Sequence, residues 1–174
     1  SYNANITNII NVTYNGTGAA SVVIASNLQS YVTATVDGGA VSIVQNNTVS
    51  ASTCGEIIYQ LTGASTNGAF SLEGNYKATI ELHGLSLTNP NGPAVNILNG
   101  KRIEIKPIEG TISTLTDGTS TVEDAWKAAL YCKGHIEFKG KGKTFVIESQ
   151  AQEDLRELEI LDMFITYIMN MYQR

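Results

Sequence analysis

The chain has 174 residues, of which 43% are hydrophobic and 16% are charged, and its net charge at pH 7 is −5. This length and apolar content suffice for a buried core in one or two domains. The 11 Lys and Arg residues are scattered, so the sequence offers no basic surface for nucleic acid or an anionic membrane. It also contains no uninterrupted apolar run of the roughly 18 residues that a membrane span needs.

Residues 1–68 are predicted to form an N-terminal β segment. Short alternating runs such as Ile9 to Tyr14 and Tyr31 to Val36 are separated by turn signals, among them Asp37-Gly38-Gly39. Alternation with a period of two, at intervals of about 8–12 residues, is typical of antiparallel or sandwich-like strands. The chain opens on polar residues without a signal sequence, and we expect a leader to have been removed.

Residues 69–150 contain a repeated unit. The segment from Ala94 to Ile105 is echoed by the segment from Ala129 to Phe138, at an interval of about 33 residues. Each copy is a short apolar strand, a glycine turn and a second strand of alternating polarity. One such unit cannot bury its apolar face alone, so the units must stack. The pattern predicts a mainly β protein whose body is a right-handed parallel β-helix.

Residues 151–174 depart from this pattern. Apolar side chains recur there at intervals of three and four residues, which predicts an amphipathic α-helix from Gln152 to Tyr172. We interpret this helix first as a cap over the open end of the strand stack. Two alternatives are a homo-oligomer contact through residues 152–172 and a helix that arose from a truncated or frame-shifted product.

Four strings in the chain resemble a known family. They run from Gly74 to Ile97, from Gly100 to Ile105, from Thr114 to Gly118 and from Lys127 to Gly134. In combination they are similar to the carbohydrate-binding domain-containing proteins of Bacteroidetes and other bacteria, over roughly residues 20–149. The resemblance implies a secreted or surface-attached parallel β-helix that binds carbohydrate. It implies no catalytic residues.

The chemistry-bearing residues argue against an enzyme. The Asp residues do not form the paired acid and base that glycoside hydrolases need. His83 and His135 belong to different repeat units, and no Ser or Thr has a linked base. Glu81, Glu104 and Glu137 alternate with apolar residues and are interpreted as an outer, solvated row. We therefore expect no catalytic residue, no metal site and no cofactor.

The two cysteines, Cys54 and Cys132, are far apart and belong to no metal-binding motif. Free Cys packs as a small hydrophobic side chain. We expect both to be buried free thiols.

Carbohydrate binding needs an aromatic platform together with planar amides or carboxylates. The segment from Asp117 to Lys127 interrupts the repeat, contains the one Trp, and is predicted to project as a binding loop. Alternatively, Trp126 folds back and anchors its own loop. A second candidate joins Tyr76 to two Asn residues that an Asx turn around Pro90 explains equally well. The candidate ligand-binding residues are Trp126, Asp117, Glu123, Asp124, Tyr76, Asn89 and Asn91.

The sequence thus favours a non-catalytic carbohydrate-binding or surface-scaffold module of a secreted bacterial protein, with a polysaccharide or other glycan as its partner. One alternative is a structural or adhesive element that associates with itself. A polysaccharide-processing enzyme is the third hypothesis.

Overall fold

The structure is a computed structural model, and it describes residues 7–118, 129–139, 144–148, 155–160, 163–168 and 171–173. These residues form strands connected mainly by turns, with a single 3-10 turn at Ser26–Leu28 among the described ranges. In chain order the strands are β1 (Ile9–Asn15), β2 (Ser21–Ile24), β3 (Val32–Asp37), β4 (Gly39–Gln45), β5 (Ile57–Ser65), β6 (Gly68–Glu73), β7 (Ala78–Thr88), β8 (Val95–Ile97), β9 (Ile103–Pro107), β10 (Ile112–Thr116), β11 (Leu130–Cys132), β12 (Ile136–Phe138), β13 (Thr144–Glu148), β14 (Leu155–Ile160), β15 (Met163–Ile168) and β16 (Met171–Gln173).

The strands form two mixed sheets. The larger sheet has ten strands in the order β14-β15-β13-β10-β7-β5-β1-β2, with β9 paired to β7 and β12 paired to β9. The smaller sheet has six strands in the order β16-β11-β8-β6-β4-β3. From β4 to β9 successive strands alternate between the two sheets. Neighbours such as β5 and β7, or β4 and β6, therefore run parallel, because the chain crosses to the other sheet between them.

Antiparallel pairs accompany the parallel ones within the described strands: β1 with β2, β3 with β4, and β14 with β15. The predicted right-handed parallel β-helix is therefore wrong, since the chain forms two mixed sheets. The prediction treated each short strand as a copy of one stacked unit, although glycine turns also reverse a chain within one sheet. Gly38, with φ +56°, joins β3 directly to β4 in such a reversal.

The predicted C-terminal α-helix from Gln152 to Tyr172 is also wrong. The described residues there form β14, β15 and β16, and β15 lies between β13 and β14. Its sequence, Met-Phe-Ile-Thr-Tyr-Ile, is rich in the β-branched and aromatic residues that favour strands. A spacing of three and four residues mimics an amphipathic helix, but pairing with β13 decides the conformation. The predicted homo-oligomer contact through residues 152–172 stays a prediction.

The inward side chains of both sheets form one apolar cluster. In β5, for example, Ile57, Tyr59 and Leu61 are buried and the residues between them are partly exposed. Tyr59 of the larger sheet contacts Phe70 of the smaller sheet edge to face, with ring centroids 6.0 Å apart. Burial of each such side chain contributes about 1.5–3 kcal/mol, so the alternation of apolar residues holds the sheets together.

Strands from both sides of residue 68 share these sheets. In the larger sheet β1 pairs with β5 and β5 pairs with β7, while in the smaller sheet β4 pairs with β6 and β6 with β8. The predicted division into units 1–68, 69–150 and 151–174 stays a prediction.

Cys54 is partly buried, Cys132 is buried, and both are free. Burial raises the pKa of the Cys132 thiol, which keeps it protonated and unreactive. In the part of the chain that the structure describes, no helix has the length and apolar character to cross a membrane.

Candidate functional site

An open cleft lies beside the starts of β7 and β9. These strands are parallel neighbours with Ala78 opposite Ile103, so the turns that precede them also lie side by side. The cleft has a volume of about 490 Å³ and is lined by Asn75, Tyr76, Lys77, Lys101 and Arg102. It therefore combines one aromatic ring, one amide and three cations.

Tyr76 forms the aromatic wall of the cleft. The side chain is partly buried against the apolar cluster, and the Lys77 ammonium lies 6.0 Å from the centroid of its ring. A cation at this distance is attracted by the face of an aromatic ring. The ring thus packs partly against the core, has one cation nearby and contributes to the lining of the cleft.

A buried amide lies beneath the two turns. Asn99 is fully buried, and its Nδ2 donates to the backbone oxygen of Tyr76 at 2.6 Å. Its Oδ1 accepts from the backbone N–H of Lys101 at 2.8 Å. The same Nδ2 donates to Oε1 of Gln45 at 3.1 Å, and Nε2 of Gln45 donates to the Tyr59 hydroxyl at 3.1 Å.

A row of ion pairs continues from Arg102 across the outer face of the larger sheet. Arg102 contacts Glu56 at 2.5 Å and Glu104 at 3.2 Å. The Thr79 hydroxyl lies 3.2 Å from Glu56 and 3.3 Å from Glu104, so it can donate its single proton to either carboxylate. Burial acts to lower the pKa of Arg102, but the carboxylates of Glu56, Glu104 and Glu137 outweigh it and the net shift is upward. Arg102 therefore stays a fixed cation at the edge of the cleft.

The row extends to β12. Lys139 lies 3.6 Å from Glu104 and 3.2 Å from Glu137, and His135 lies 3.2 Å from Glu137. Hydrogen bonding to Lys139 lowers the pKa of Glu137, and the same bond raises the pKa of Lys139. Both groups are consequently ionised at neutral pH.

Of the three carboxylates predicted to form an outer row, Glu81, Glu104 and Glu137, only the last two lie opposite each other on neighbouring strands. Glu104 pairs directly with Glu137, whereas Glu81 lies opposite Lys106, two residues further along the strand. Glu81 instead contacts His83 at 2.9 Å and accepts from Nε2 of Gln60 at 2.9 Å. Among the described residues, no group of three or more His, Cys, Asp or Glu side chains is placed to hold a metal ion.

The predicted binding residues that the structure describes fall in two places. Tyr76 lies in the cleft, whereas Asn89 and Asn91 lie beyond the other end of the eleven-residue strand β7. The Asn89 side chain accepts from the backbone N–H of Asn91 at 3.0 Å and donates to Pro93, which is the alternative Asx turn.

Asp117 is 2% exposed and lies near that turn, since the backbone N–H of Asn89 donates to the oxygen of Thr116. The remaining predicted residues, Trp126, Glu123 and Asp124, lie outside the described residues. The predicted binding loop therefore stays a prediction.

Sequence reasoning missed Asn75, Lys77, Lys101 and Arg102. The signal was present, because the strings Asn75-Tyr76-Lys77 and Gly100-Lys101-Arg102 occupy equivalent positions before β7 and β9. Aligning the two turns by the register of the strands that follow them would have placed these side chains together.

Comparison with known proteins adds a family to this geometry. The chain belongs to the carbohydrate-binding domain-containing protein family, whose model matches residues 37–162. This confirms the family that the sequence resembles, and the matched range includes both turns of the cleft. No curated protein matches the chain in sequence.

A solved structure from C. thermocellum, described as a polysaccharide lyase-like protein in a gadolinium derivative, is similar in fold. Its TM-score is 0.59 at 17% sequence identity, and the alignment covers 81% of this chain and 52% of that chain. This chain therefore spans about half the length of that protein. At this level of identity the similarity shows the fold alone.

Proposed function

We propose that the protein is a non-catalytic carbohydrate-binding module and that the cleft beside Tyr76 holds the glycan. The proposal is carried by one observation: a half-buried aromatic ring stands in an open cleft among amide and ammonium groups. Aromatic faces stack on the apolar faces of sugar rings, and polar side chains around them bind the hydroxyls. Membership in the carbohydrate-binding domain-containing family supports the same function.

The charges in the cleft favour a glycan that carries carboxylate or sulfate groups. Arg102 is already paired with Glu56 and Glu104. Lys77 and Lys101 are exposed, and their ammonium groups are placed to contact an anionic substituent. Such contacts are screened by salt, so affinity for an anionic glycan should fall as ionic strength rises.

The ion pairs beside the cleft support the non-catalytic part of the proposal. A base that abstracts a proton at neutral pH works best when its pKa lies near the operating pH. The pKa of Arg102 and the pKa of Lys139 are both shifted upward by their carboxylate partners. These cations hold their protons firmly and are poorly suited to accept another group's proton.

We also propose that the module belongs to a bacterial protein that is secreted or displayed at the cell surface. The low content of charged residues and the Thr- and Asn-rich strands support this location. An origin in Bacteroidetes stays a prediction, as does the alternative of a self-associating structural element.

Binding to a panel of neutral and anionic polysaccharides tests the proposed site. Tyr76→Ala should weaken binding about two- to thirteenfold, since one stacked ring contributes about 0.5–1.5 kcal/mol. Tyr31→Ala is the matched control, because Tyr31 is also a partly buried Tyr packed against the apolar cluster. Isothermal titration calorimetry gives the affinities.

A Trp126→Ala variant belongs in the same series. Loss of binding in Trp126→Ala but not in Tyr76→Ala would move the binding site to the segment from Asp117 to Lys127. Absence of binding to every polysaccharide in the panel would contradict the proposed function itself.

Prolonged incubation with uronate and neutral polysaccharides tests the absence of catalysis. We expect neither new reducing ends nor the ultraviolet absorbance of an unsaturated uronate. Turnover that is lost when Arg102 is replaced by Ala would show that the module is an enzyme.

A further inference from the structure

Asn99 joins the two walls of the cleft. Tyr76 stands on one wall and Lys101 on the other, and one Asn99 side chain contacts the backbone of both. The amide donates through Nδ2 to the first turn and accepts through Oδ1 from the second. Both ends of one planar group are used, so the amide sets the distance between the turns.

Asn99 is itself held from the core. Its Nδ2 donates to Oε1 of Gln45 at 3.1 Å, and the same oxygen accepts from the backbone N–H of Tyr76 at 3.4 Å. Gln45 is 4% exposed and ends β4 of the smaller sheet, while its partner Tyr59 lies in β5 of the larger sheet. Buried, hydrogen-bonded side chains therefore connect the cleft to both sheets and fix its position.

Glycine at position 74 completes this arrangement. Its φ is +156°, and a Cβ atom there would overlap the Gln45 side chain. The first turn can thus approach the buried amides closely, which is what lets Tyr76 reach Gln45 and Asn99.

We infer that Asn99 is a positioning residue for glycan binding, an inference that rests on the proposed function of the cleft. Asn99 is fully buried, and its hydrogen bonds hold Tyr76 and Lys101 at a fixed spacing before the glycan arrives. A site that is already ordered loses less conformational entropy on binding and so binds more tightly. Without the amide, each turn must be ordered separately by the glycan.

A purely structural role makes a different prediction. A buried amide with several hydrogen bonds also stabilises the fold, so loss of stability in Asn99→Ala decides nothing. The decisive comparison is with Val12→Ala in β1, which lies two strands from β7 in the larger sheet and is fully buried. Both substitutions destabilise the core, but only the first touches the cleft.

Affinity for the polysaccharide that binds best to the unmodified chain is measured by calorimetry for Asn99→Ala, Val12→Ala and Tyr76→Ala. We expect Asn99→Ala to weaken binding about tenfold and Val12→Ala to leave the affinity within about twofold. Amide hydrogen exchange by NMR should show faster exchange at Lys101 in Asn99→Ala and no change there in Val12→Ala. Should Asn99→Ala fail to fold, Asn99→Ser replaces it, since a hydroxyl satisfies one of the turns.

The outcomes separate the inference from the function on which it rests. Unchanged affinity in folded Asn99→Ala or Asn99→Ser, together with weak binding by Tyr76→Ala, would overturn the positioning role and leave the proposed site in place. Unchanged affinity in Tyr76→Ala would remove the cleft as the glycan site, and the positioning role with it. Equal losses in Asn99→Ala and Val12→Ala would reduce Asn99 to a structural residue.

Discussion

The carboxylate of Glu137 contacts the Lys139 ammonium and the His135 ring at the edge of the larger sheet. Lys139 lowers its pKa first, through a hydrogen bond, and His135 adds to the effect. A carboxyl whose pKa is lowered by folding contributes stability above its ordinary pKa, and that contribution is lost as the pH falls through the lowered value. The raised pKa of Lys139 acts in the opposite direction, so its contribution is lost as the pH rises through that value.

Replacing Lys139 with Met should return the pKa of Glu137 upward toward its ordinary value, because the dominant hydrogen bond and charge are gone. NMR titration of the side-chain carboxyl carbon measures this directly. Lys133→Met serves as the control, since Lys133 is an exposed Lys on the turn before β12. An unchanged Glu137 pKa in Lys139→Met would show that the ion pair does not persist in solution.

Three residues of the cleft show which site residues the sequence predicts and which it does not. Tyr76 was predicted as a binding residue because an aromatic ring near amides is a local signal. Lys101 was missed because it lies beside Tyr76 only when β7 and β9 pair in the observed register. The sequence does not show which strands pair or in what register. Asn99 was missed for the same reason: a polar residue after an apolar strand gives no local sign that it will be fully buried.

The strand β15 shows why an element can be assigned wrongly from its own sequence. Apolar residues spaced by three and four satisfy a helical pattern, yet the same segment contains the β-branched and aromatic residues of a strand. The choice depends on β13 and β14, which pair with both edges of β15. Their contribution is not encoded within the segment itself.

Thr166 tests whether the backbone of β15 is hydrogen-bonded in the folded chain. It lies opposite Val146 of β13 and Glu157 of β14, and a proline at this central position removes a backbone donor and obstructs the pairing. Thr166→Pro should therefore lower the midpoint of thermal unfolding measured by circular dichroism. Thr166→Val keeps the backbone donor and a β-branched side chain, so we expect little change. A similar midpoint for both variants would contradict the placement of β15 between two strands.

The repeat predicted a mainly β molecule and its family, but it did not predict strand direction. Glycine turns permit both a crossing to the other sheet and a reversal in the same sheet, as the connections after β4 and before β4 illustrate. The distinction depends on which strand edges remain open when the rest of the chain has paired. That is a property of the whole assembly of strands.

The shared sheets predict how the molecule unfolds. Strands β1 and β4 belong to the same sheets as β7 and β8, and the apolar cluster includes residues from all four. We expect urea to unfold the chain in one transition, with coincident midpoints by tyrosine fluorescence and by far-ultraviolet circular dichroism. Two separated transitions would show instead that the segment before residue 68 is an independent unit.

The antiparallel pairs occupy a particular place in the two sheets. Strands β2 and β14 are the outermost strands of the larger sheet, and β3 is an outermost strand of the smaller sheet. A stack of parallel strands presents the same unpaired edge at each end, and such an edge recruits further copies without limit. An outer strand that runs antiparallel to its neighbour breaks this repetition. A further copy would meet backbone N–H and C=O groups in a different pattern from the one between the parallel strands. Among the described strands β2, β3 and β14 end their sheets in this way, whereas β12 and β16 pair parallel to their neighbours and keep the edge of a parallel strand.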